Sequence, residues 1–466
     1  MSQTVAILGA NLCGWMAAAA LARRLPRERY RIVVIDDGTT SDGIGDFAPV
    51  IAVPPALGGF HADLGIKPAA LVRATCGGHA LGVAFGGWRK DGAAAFLSYG
   101  ETGMPLQGIA FHQLAGRLRK DGMHVRLADY ALSAVAAQAG RFALEAPIAH
   151  ALHLPVERYT AVLRGAAMNF SASFANTPFA DAQIDASGIV ETLKLTDGTE
   201  IVPLLVLDCS GSSARIASRT APAFEDWSAW LPCDRTHTQT LSAAGAPPPY
   251  TQVDANGSGW TGTWPLSGAD MRLTCAAGGE GTPFRAGRRV EAWRGNCIAM
   301  GAAAGLIEPL HPTALTVLLR SLAQLIQLWP AERRAPVEAK AFNRFTANAM
   351  TGARNFIIAQ KAAGRGVGSS RDEPGDTMLP DAIEAKRTLF AARGRLPMFD
   401  DEPFEEEDWT AMFDAMGLVP RRYDARADAL PLATIQQHFA DHRARIIAQV
   451  RVLPPYAHAM AELAAA

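Results

Sequence analysis

The sequence lacks paired-cysteine motifs, and it lacks an excess of charge of either sign. Its six cysteines are scattered without a CxxC pair, so the sequence indicates neither a zinc site nor a disulfide framework. Its 44 basic and 45 acidic residues leave no overall field that would favour nucleic acid or an anionic membrane. We therefore expect no metal, no nucleic-acid partner and no membrane partner.

Long hydrophobic runs are also missing. No uninterrupted apolar segment of about 18 residues occurs, so no transmembrane helix is predicted. The chain runs from Met1 directly into an apolar strand pattern, without the features of a signal peptide. Hydrophobic residues make up 49% and charged residues 19%, as is typical of globular proteins. We expect a cytoplasmic protein.

The N-terminal segment predicts a βαβ unit that binds a dinucleotide. An apolar strand ends at Leu8, a glycine-rich turn follows, a helix runs from about Trp15 to Leu25, and a second strand covers 32–35. The turn matches GxGxxG at Gly9 and Gly14, where a missing Cβ allows a tight turn and close helix-to-strand packing. The strand before the turn and the helix after it give this short motif its weight.

Asn11 and Asp36 complete the predicted dinucleotide site. Asn11 replaces the middle glycine and is expected to place a side chain where the pyrophosphate approaches. Asp36 closes the second strand, 22 residues after Gly14, and is predicted to hold a ribose hydroxyl. Within the turn, the predicted cofactor-binding residues are Gly9, Asn11, Leu12, Cys13 and Gly14.

Several segments carry a family resemblance. The helix begins Gly14-Trp15-Met16-Ala17, and three later segments read Gly43-Ile44-Gly45-Asp46, Asp208-Cys209-Ser210-Gly211 and Gly301-Ala302-Ala303-Ala304-Gly305-Leu306-Ile307-Glu308-Pro309-Leu310. Together they resemble the flavin-dependent tryptophan halogenases over nearly the whole chain. The resemblance implies FAD, with Gly45, Asp46, Gly301, Ala302 and Gly305 as further cofactor-binding residues. It also implies a helix that opens at Gly301 to Gly305 and favours negative charge on the reduced flavin.

Three positions depart from that family. The family's lysine falls at Ala80, and the glutamate that follows its EPL triplet falls at His311. In its WxWxIP signature, Gly262 replaces the second tryptophan and leaves Trp260 and Trp264. Because these three losses remove groups that the resemblance connects with halogenation, we expect oxygen transfer instead.

The sequence therefore predicts an FAD-dependent monooxygenase that hydroxylates an aromatic, indole-type ring. His311 and His79 are the candidate catalytic residues, and Trp260 and Trp264 are expected to flank the substrate. Electrons would come from NAD(P)H or from reduced flavin supplied by a reductase, with O2 as oxidant. The chain resembles members of this group that hydroxylate a tryptophan within another protein during tryptophylquinone maturation, so a protein or peptide substrate is included.

Two alternatives remain open at this stage. One is a flavin-dependent halogenase with a displaced catalytic residue, and the other is a non-catalytic flavin-fold assembly factor. The expected fold is mixed α/β, with an FAD/NAD(P)-binding Rossmann-like domain interleaved with a β-sheet substrate domain and followed by a helical region. The predicted boundaries are 1–50, 105–135, 190–215 and 290–325 for the FAD domain, 51–104, 136–189 and 216–289 for the substrate domain, and 326–466 for the helices.

Overall fold

The computed structural model describes residues 2–39, 45, 47–242, 247–257, 259–364 and 378–465. The chain forms two compact units, each assembled from three segments. Unit 1 comprises Met1–Gly77, Leu154–Thr238 and Cys275–Thr351, and unit 2 comprises Gly78–His153, Gln239–Thr274 and Gly352–Ala466. The three-part domain scheme drawn from the sequence remains a prediction.

The α-helices are as follows: α1 Leu12–Arg24, α2 Gly58–Asp63, α3 Pro68–Thr75, α4 Phe111–Lys120, α5 Leu132–Gln138, α6 Val156–Asn169, α7 Ala217–Thr220, α8 Thr313–Gln327, α9 Pro336–Gly364, α10 Asp381–Arg393, α11 Glu406–Ala415, α12 Leu432–Arg451 and α13 Tyr456–Ala465.

The strands are as follows: β1 Gln3–Leu8, β2 Tyr30–Ile35, β3 Val50–Val53, β4 Gly78–Ala80, β5 Gly82–Gly86, β6 Ala95–Ser98, β7 Ala151–Pro155, β8 Ser173–Ala175, β9 Phe179–Ile184, β10 Val190–Leu195, β11 Glu200–Ile201, β12 Pro203–Asp208, β13 Phe224–Asp226, β14 Arg235–Ser242, β15 Thr251–Asn256, β16 Gly259–Pro265, β17 Ala269–Ala276, β18 Thr282–Pro283, β19 Gly287–Arg289, β20 Trp293–Arg294, β21 Cys297–Ala299 and β22 Gly305–Leu306.

A six-stranded sheet organises unit 1, in the order β20-β21-β12-β1-β2-β8. Strands β21, β12, β1, β2 and β8 run parallel, and β20 joins antiparallel at one edge. Strand β12 is buried throughout, and β1 is apolar and buried from Val5 to Leu8, as expected for strands covered on both faces. Helix α1 connects β1 to β2 and contacts α6 and α8. The predicted Rossmann-like sheet is confirmed.

Three-stranded sheets extend the core of unit 1. The sheet β11-β10-β9 contributes apolar side chains to the same buried cluster as β1, β2, β12 and β21. A hairpin follows Val190, because β10 pairs antiparallel with β11 before the chain enters β12. Strand β12 then pairs with β1. Because β1, β2, β12 and β21 are parallel, their carboxyl ends lie at one edge of the sheet, where α/β proteins bind ligands.

Unit 2 combines a strand array with the C-terminal helices. The strand order is β17-β16-β15-β5-β6, with β15 antiparallel to β16 and parallel to β5. The helices α4 and α12 pack through an aromatic core in which the Phe111 and Phe439 rings stack 4.1 Å apart. The predicted mixed α/β fold with a helical C-terminal region is therefore confirmed. Among the described residues, no helix combines the length and apolarity needed to cross a membrane.

Candidate functional site

Two glycines of the first turn make room for the backbone of their neighbours. A Cβ added at Gly14 would lie 1.8 Å from the carbonyl oxygen of Gly9, so any side chain would separate α1 from the end of β1. At Gly9 the φ angle is 115°, and a Cβ would lie 2.5 Å from the Cys209 carbonyl oxygen. The first and third glycines of the motif are therefore required by close packing and by a left-handed backbone.

Asn11 caps the helix that follows the turn. Its Oδ1 accepts a hydrogen bond from the Gly14 backbone N–H at 3.2 Å, and its Nδ2 donates to the Cys209 carbonyl at 2.7 Å. The side chain is 4% exposed and is held against the protein, which differs from the expectation that it stands in the path of a pyrophosphate. Leu12 and Cys13 are also buried, so they would meet a cofactor through their backbone N–H groups.

Asp36 and Asp37 follow β2 and have different environments. Asp36 is half-buried, and its Oδ1 accepts from the Gly38 N–H at 2.9 Å. Asp37 is 4% exposed and accepts two side-chain contacts and one backbone contact from Thr39, and burial raises the pKa of its carboxyl. Because Asp37 is already engaged in this turn, Asp36 is the better placed of the two to accept a ribose hydroxyl.

Asp208 was assigned no role from the sequence, although its segment carried part of the resemblance. The carboxylate is fully buried and accepts backbone N–H bonds from Ile216 and Ala217, both at 2.8 Å. It also accepts the Ser210 hydroxyl at 2.5 Å. These bonds fix the loop after β12, whose Cys209 carbonyl in turn holds Asn11. Asp208 thus supports the dinucleotide turn from the neighbouring strand.

The prediction that a helix begins at Gly301 to Gly305 is wrong. Gly301–Ala303 forms one 3-10 turn and the chain then enters β22, because Gly305 pairs with Arg288 of β19. The next α-helix, α8, begins only at Thr313. Gly301 still lies beside the dinucleotide turn, since a Cβ there would be 2.8 Å from the Cys13 Sγ. The predicted cofactor residues of the two segments are therefore brought together.

A small apolar pocket, partly open to solvent, adjoins this segment. Its walls come from the β21–β22 segment and from two helices, α8 and α9, which no local sequence pattern connects to the site. The lining residues are Ala299, Met300, Gly301, Ala302, Ala304, Gly305, Leu306, Ile307, Ala314, Val317, Leu318, Ser321, Thr346 and Met350. This apolar lining suits contact with one face of a flat, largely apolar ring system.

His311 lies close to the end of that wall in the chain. It is 9% exposed, and its backbone carbonyl accepts the Thr313 N–H at 2.7 Å. Helix α8 begins two residues after His311, and Pro312 occupies its N-cap. The imidazole is thus presented by the loop before the helix. Its catalytic role stays a prediction.

His79 and Ala80 are neighbours on β4, so their side chains face opposite sides of that strand. Both residues are fully buried. The His79 ring packs against Phe142 at 4.9 Å and His150 at 5.4 Å, and neither of its ring nitrogens has a hydrogen-bond partner. A histidine at position 79 therefore does not present its imidazole on the face from which a lysine at position 80 would extend.

Burial also sets the protonation of this histidine cluster. Desolvation lowers the pKa of His79 to about 3, with His150 and His153 adding to the effect. It lowers the pKa of His153 to about 4, although the Pro265 carbonyl opposes the shift. His153 also lies 2.8 Å from the Thr251 hydroxyl. Both imidazoles are neutral at pH 7.

We expect the protein to lose stability as the pH falls from 7 to 5. The unfolded chain binds a proton on each histidine near pH 6.5, whereas the folded chain excludes it, so stability is complete above pH 6.5 and declines below it. Each of His79 and His153 should contribute about 2 kcal/mol of loss at pH 5. Urea unfolding at both pH values measures this, and His79→Phe should weaken the dependence. An unchanged dependence in that variant would contradict the assignment.

The two candidate substrate tryptophans lie on one face of β16, with Gly262 between them. Trp260 is 1% and Trp264 is 7% exposed. A Cβ at Gly262 would lie 2.5 Å from the Trp264 ring and 3.2 Å from the Trp260 ring. The Trp264 ring therefore fills the space that a side chain at position 262 would take. Substrate contact by the tryptophans stays a prediction.

The remaining predicted cofactor residues lie in the segment before β3. Gly45 is half-buried in a turn. Asp46 and the neighbouring Gly43 and Ile44 lie outside the described residues, so their predicted role stays untested. Three main parts of the predicted cofactor site are therefore described by the structure: the Gly9 to Gly14 turn, Asp36 and the Gly301 to Gly305 segment.

Comparisons with known proteins give a consistent result. A family model described as tryptophan halogenase matches residues 4–272 and 268–432. Among curated proteins, tryptophan 6-halogenase ThaL of Streptomyces albogriseolus is 25% identical over 488 residues, which covers 90% of each chain. Tryptophan 6-halogenase SttH of Streptomyces toxytricini is 22% identical over 413 residues, covering 76% of this chain and 77% of SttH.

Solved structures resemble the chain over its whole length. BrvH, a flavin-dependent halogenase from Brevundimonas sp. BAL3, has a TM-score of 0.90 and 29% identity and covers 99% of both chains. Xcc4156, a flavin-dependent halogenase from Xanthomonas campestris, has a TM-score of 0.89 and 28% identity, covering 99% of this chain and 98% of its own.

Proposed function

The chain belongs to the tryptophan halogenase family, and on that premise we propose that it is a flavin-dependent oxidoreductase that halogenates an electron-rich aromatic ring. Likeness to two flavin-dependent halogenases over nearly the full length supports halogen transfer. It supports this reaction better than the hydroxylation of a protein-bound tryptophan expected from the sequence. The names of these two curated relatives favour tryptophan or another indole as the substrate.

The observation that carries the proposal is the site at the carboxyl edge of the parallel sheet. The Gly9 to Gly14 turn presents the first N–H groups of α1, Asp36 stands at the end of β2, and the apolar cavity lies along the 299–307 segment. These residues fit FAD, which supplies the chemistry that activates O2 when bound in its reduced state. A partner reductase would deliver the reduced flavin, and NAD(P)H would be the donor to that reductase.

The protein must also remove a proton. When a halogen replaces the hydrogen on an aromatic carbon, that hydrogen leaves as a proton, so a nearby base accelerates the step. His311 occupies the position of the family's glutamate, is nearly buried and follows the cavity wall in the chain. We assign it the role of proton acceptor at the reacting ring carbon.

Oxygen transfer is a second candidate, and Ala80 is the observation that favours it. The position of the family's lysine carries a fully buried methyl group, which can neither hold nor direct hypohalous acid. If no other group replaces the lysine, the activated oxygen would reach the ring directly. Halogen transfer therefore requires a displaced group in this chain.

One incubation separates the candidates. The FAD-loaded protein receives indole or tryptophan, O2 and a flavin reductase with NADH, with and without bromide. A product that carries bromine only when bromide is present supports halogenation, and a product that gains oxygen in both arms supports hydroxylation. Failure of the protein to bind FAD would contradict both halogenation and hydroxylation and would favour a non-catalytic assembly factor. A reaction that contains the reductase but not this protein controls for products formed by hydrogen peroxide that the reductase releases.

We expect Ala80→Lys to raise the rate of bromination by about tenfold or more, because the ammonium would stand at the family's position. A lysine at this buried position also costs stability, so the melting temperature should fall. Ala80→Met is the matched control, since it adds similar length without charge. Equal bromination rates in the two variants, with FAD bound in both, would contradict the assignment of position 80.

A further inference from the structure

Three soft or anionic donor atoms meet in the interior of unit 1. The Sγ atoms of Cys233 and Cys275 and a carboxylate oxygen of Glu308 all lie within 4.8 Å of one another. The three residues are 2%, 0% and 0% exposed. They come from separate parts of the chain: the loop before β14, the end of β17, and the loop after β22. We propose that they bind a zinc ion.

Backbone hydrogen bonds hold the three segments in place. The Asp234 N–H donates to the Ala276 carbonyl at 3.0 Å, which joins the residues directly after the two cysteines. The Gly278 N–H donates to the Asp234 carboxylate at 2.7 Å. The Glu308 segment is fixed by the pairing of β22 with β19. The donor atoms are thus positioned by structure that does not depend on the ion.

The donor set matches the chemistry of zinc. A tetrahedral zinc ion binds thiolate sulfur at about 2.3 Å and carboxylate oxygen at about 2.1 Å, which places such donors about 3.5 to 3.8 Å apart. The donor atoms lie within 4.8 Å of one another, so side-chain rotations that shorten these separations by about 1 Å produce that geometry. Two thiolates favour zinc over magnesium or calcium, which prefer oxygen alone. Three protein ligands leave the fourth position for water.

Binding of the ion would be coupled to the protonation of its ligands. Each cysteine releases its proton to the solvent as its Zn–S bond forms, so binding releases two protons and weakens as the pH falls. Glu308 directly follows Ile307, which lines the apolar cavity, so the ion would anchor one end of that wall.

The test measures metal in the full-length, FAD-loaded protein after chelator treatment and removal of any affinity tag. Incubation with zinc chloride followed by gel filtration should leave about one zinc per chain, measured by inductively coupled plasma mass spectrometry. Cobalt chloride should produce sulfur-to-cobalt charge-transfer absorption. The double variant Cys233→Ser, Cys275→Ser should lose both signals. The control variant Cys76→Ser, which alters an exposed cysteine in the same unit, should keep both.

X-ray absorption at the zinc edge of the wild-type protein covers the case in which the double variant does not fold. Two sulfur neighbours would support the proposal. Zinc bound only through nitrogen and oxygen, or no zinc retained by the wild-type protein, would overturn it. A Cys233–Cys275 disulfide found by peptide mass spectrometry in freshly purified, metal-free protein that then binds no zinc would also overturn it, and would identify the pair as a redox site instead.

Discussion

Gly14→Ala is expected to weaken FAD binding strongly. The new Cβ would lie 1.8 Å from the Gly9 carbonyl oxygen, a backbone atom that cannot rotate away. Helix α1 must then move outward, which withdraws its first N–H groups and disturbs the bonds that Asn11 makes to Gly14 and Cys209. We expect the dissociation constant for FAD to rise by about 100-fold or more, and flavin fluorescence titration measures it.

Gly165→Ala is the matched control for that change. Gly165 lies within α6 of the same unit, and a Cβ there meets no atom within 4 Å. Alanine should be tolerated or should stabilise the helix slightly, with FAD affinity unchanged. Circular dichroism separates loss of cofactor from loss of fold. Normal FAD affinity in Gly14→Ala would show that the turn does not hold the dinucleotide.

His311→Ala is expected to lower turnover by about 100-fold to 10,000-fold, the usual contribution of a general base. The loss should appear in kcat, because the imidazole accepts the proton of the ring carbon after the substrate is bound. FAD affinity should change little, since the cofactor contacts assigned here lie in other segments. Steady-state kinetics with the reductase-coupled system measures both constants.

Two further variants define what that result means. His311→Glu restores the residue type of the family and should recover part of the lost rate, with a pH profile shifted to lower pH because a carboxylate stays ionised there. His124→Ala removes an exposed histidine and should leave turnover unchanged. Turnover in His311→Ala equal to that of the wild type would remove His311 from the mechanism.

Local patterns predicted the parts of the fold that depend on neighbours in sequence. The apolar run before Gly9, the glycines of the turn and the small residues of α1 predict the βαβ unit, because strand, turn and helix are built from adjacent residues. The close packing at Gly14 follows from the same short segment. The cofactor turn was therefore accessible from sequence alone.

Contacts between segments that are distant in the chain could not be predicted from the sequence. Thr346 and Met350 line the cavity from α9, and nothing in the local pattern of that helix connects it to residues 299–307. Cys233, Cys275 and Glu308 meet only through strand pairing and loop geometry. Their spacing in the chain resembles no metal motif, which is why the scattered cysteines indicated no zinc site.

The predicted helix at Gly301 failed for a specific reason. The small residues of this segment are compatible with helix, but Gly305 pairs with β19 and turns the chain into a strand. The helix was implied by the family resemblance, and the pairing of β22 with β19 takes its place in this chain. At Gly262, where glycine replaces the second tryptophan of the family signature, the Trp264 ring takes the space of a side chain.

The exact mass of the product formed from indole distinguishes halogenation from hydroxylation. With reduced FAD, O2 and bromide, we expect a product in which one hydrogen is replaced by bromine, recognised by the bromine isotope pattern and absent without bromide. A product that gains only oxygen, in the same amount with and without bromide, would contradict the halogenase assignment.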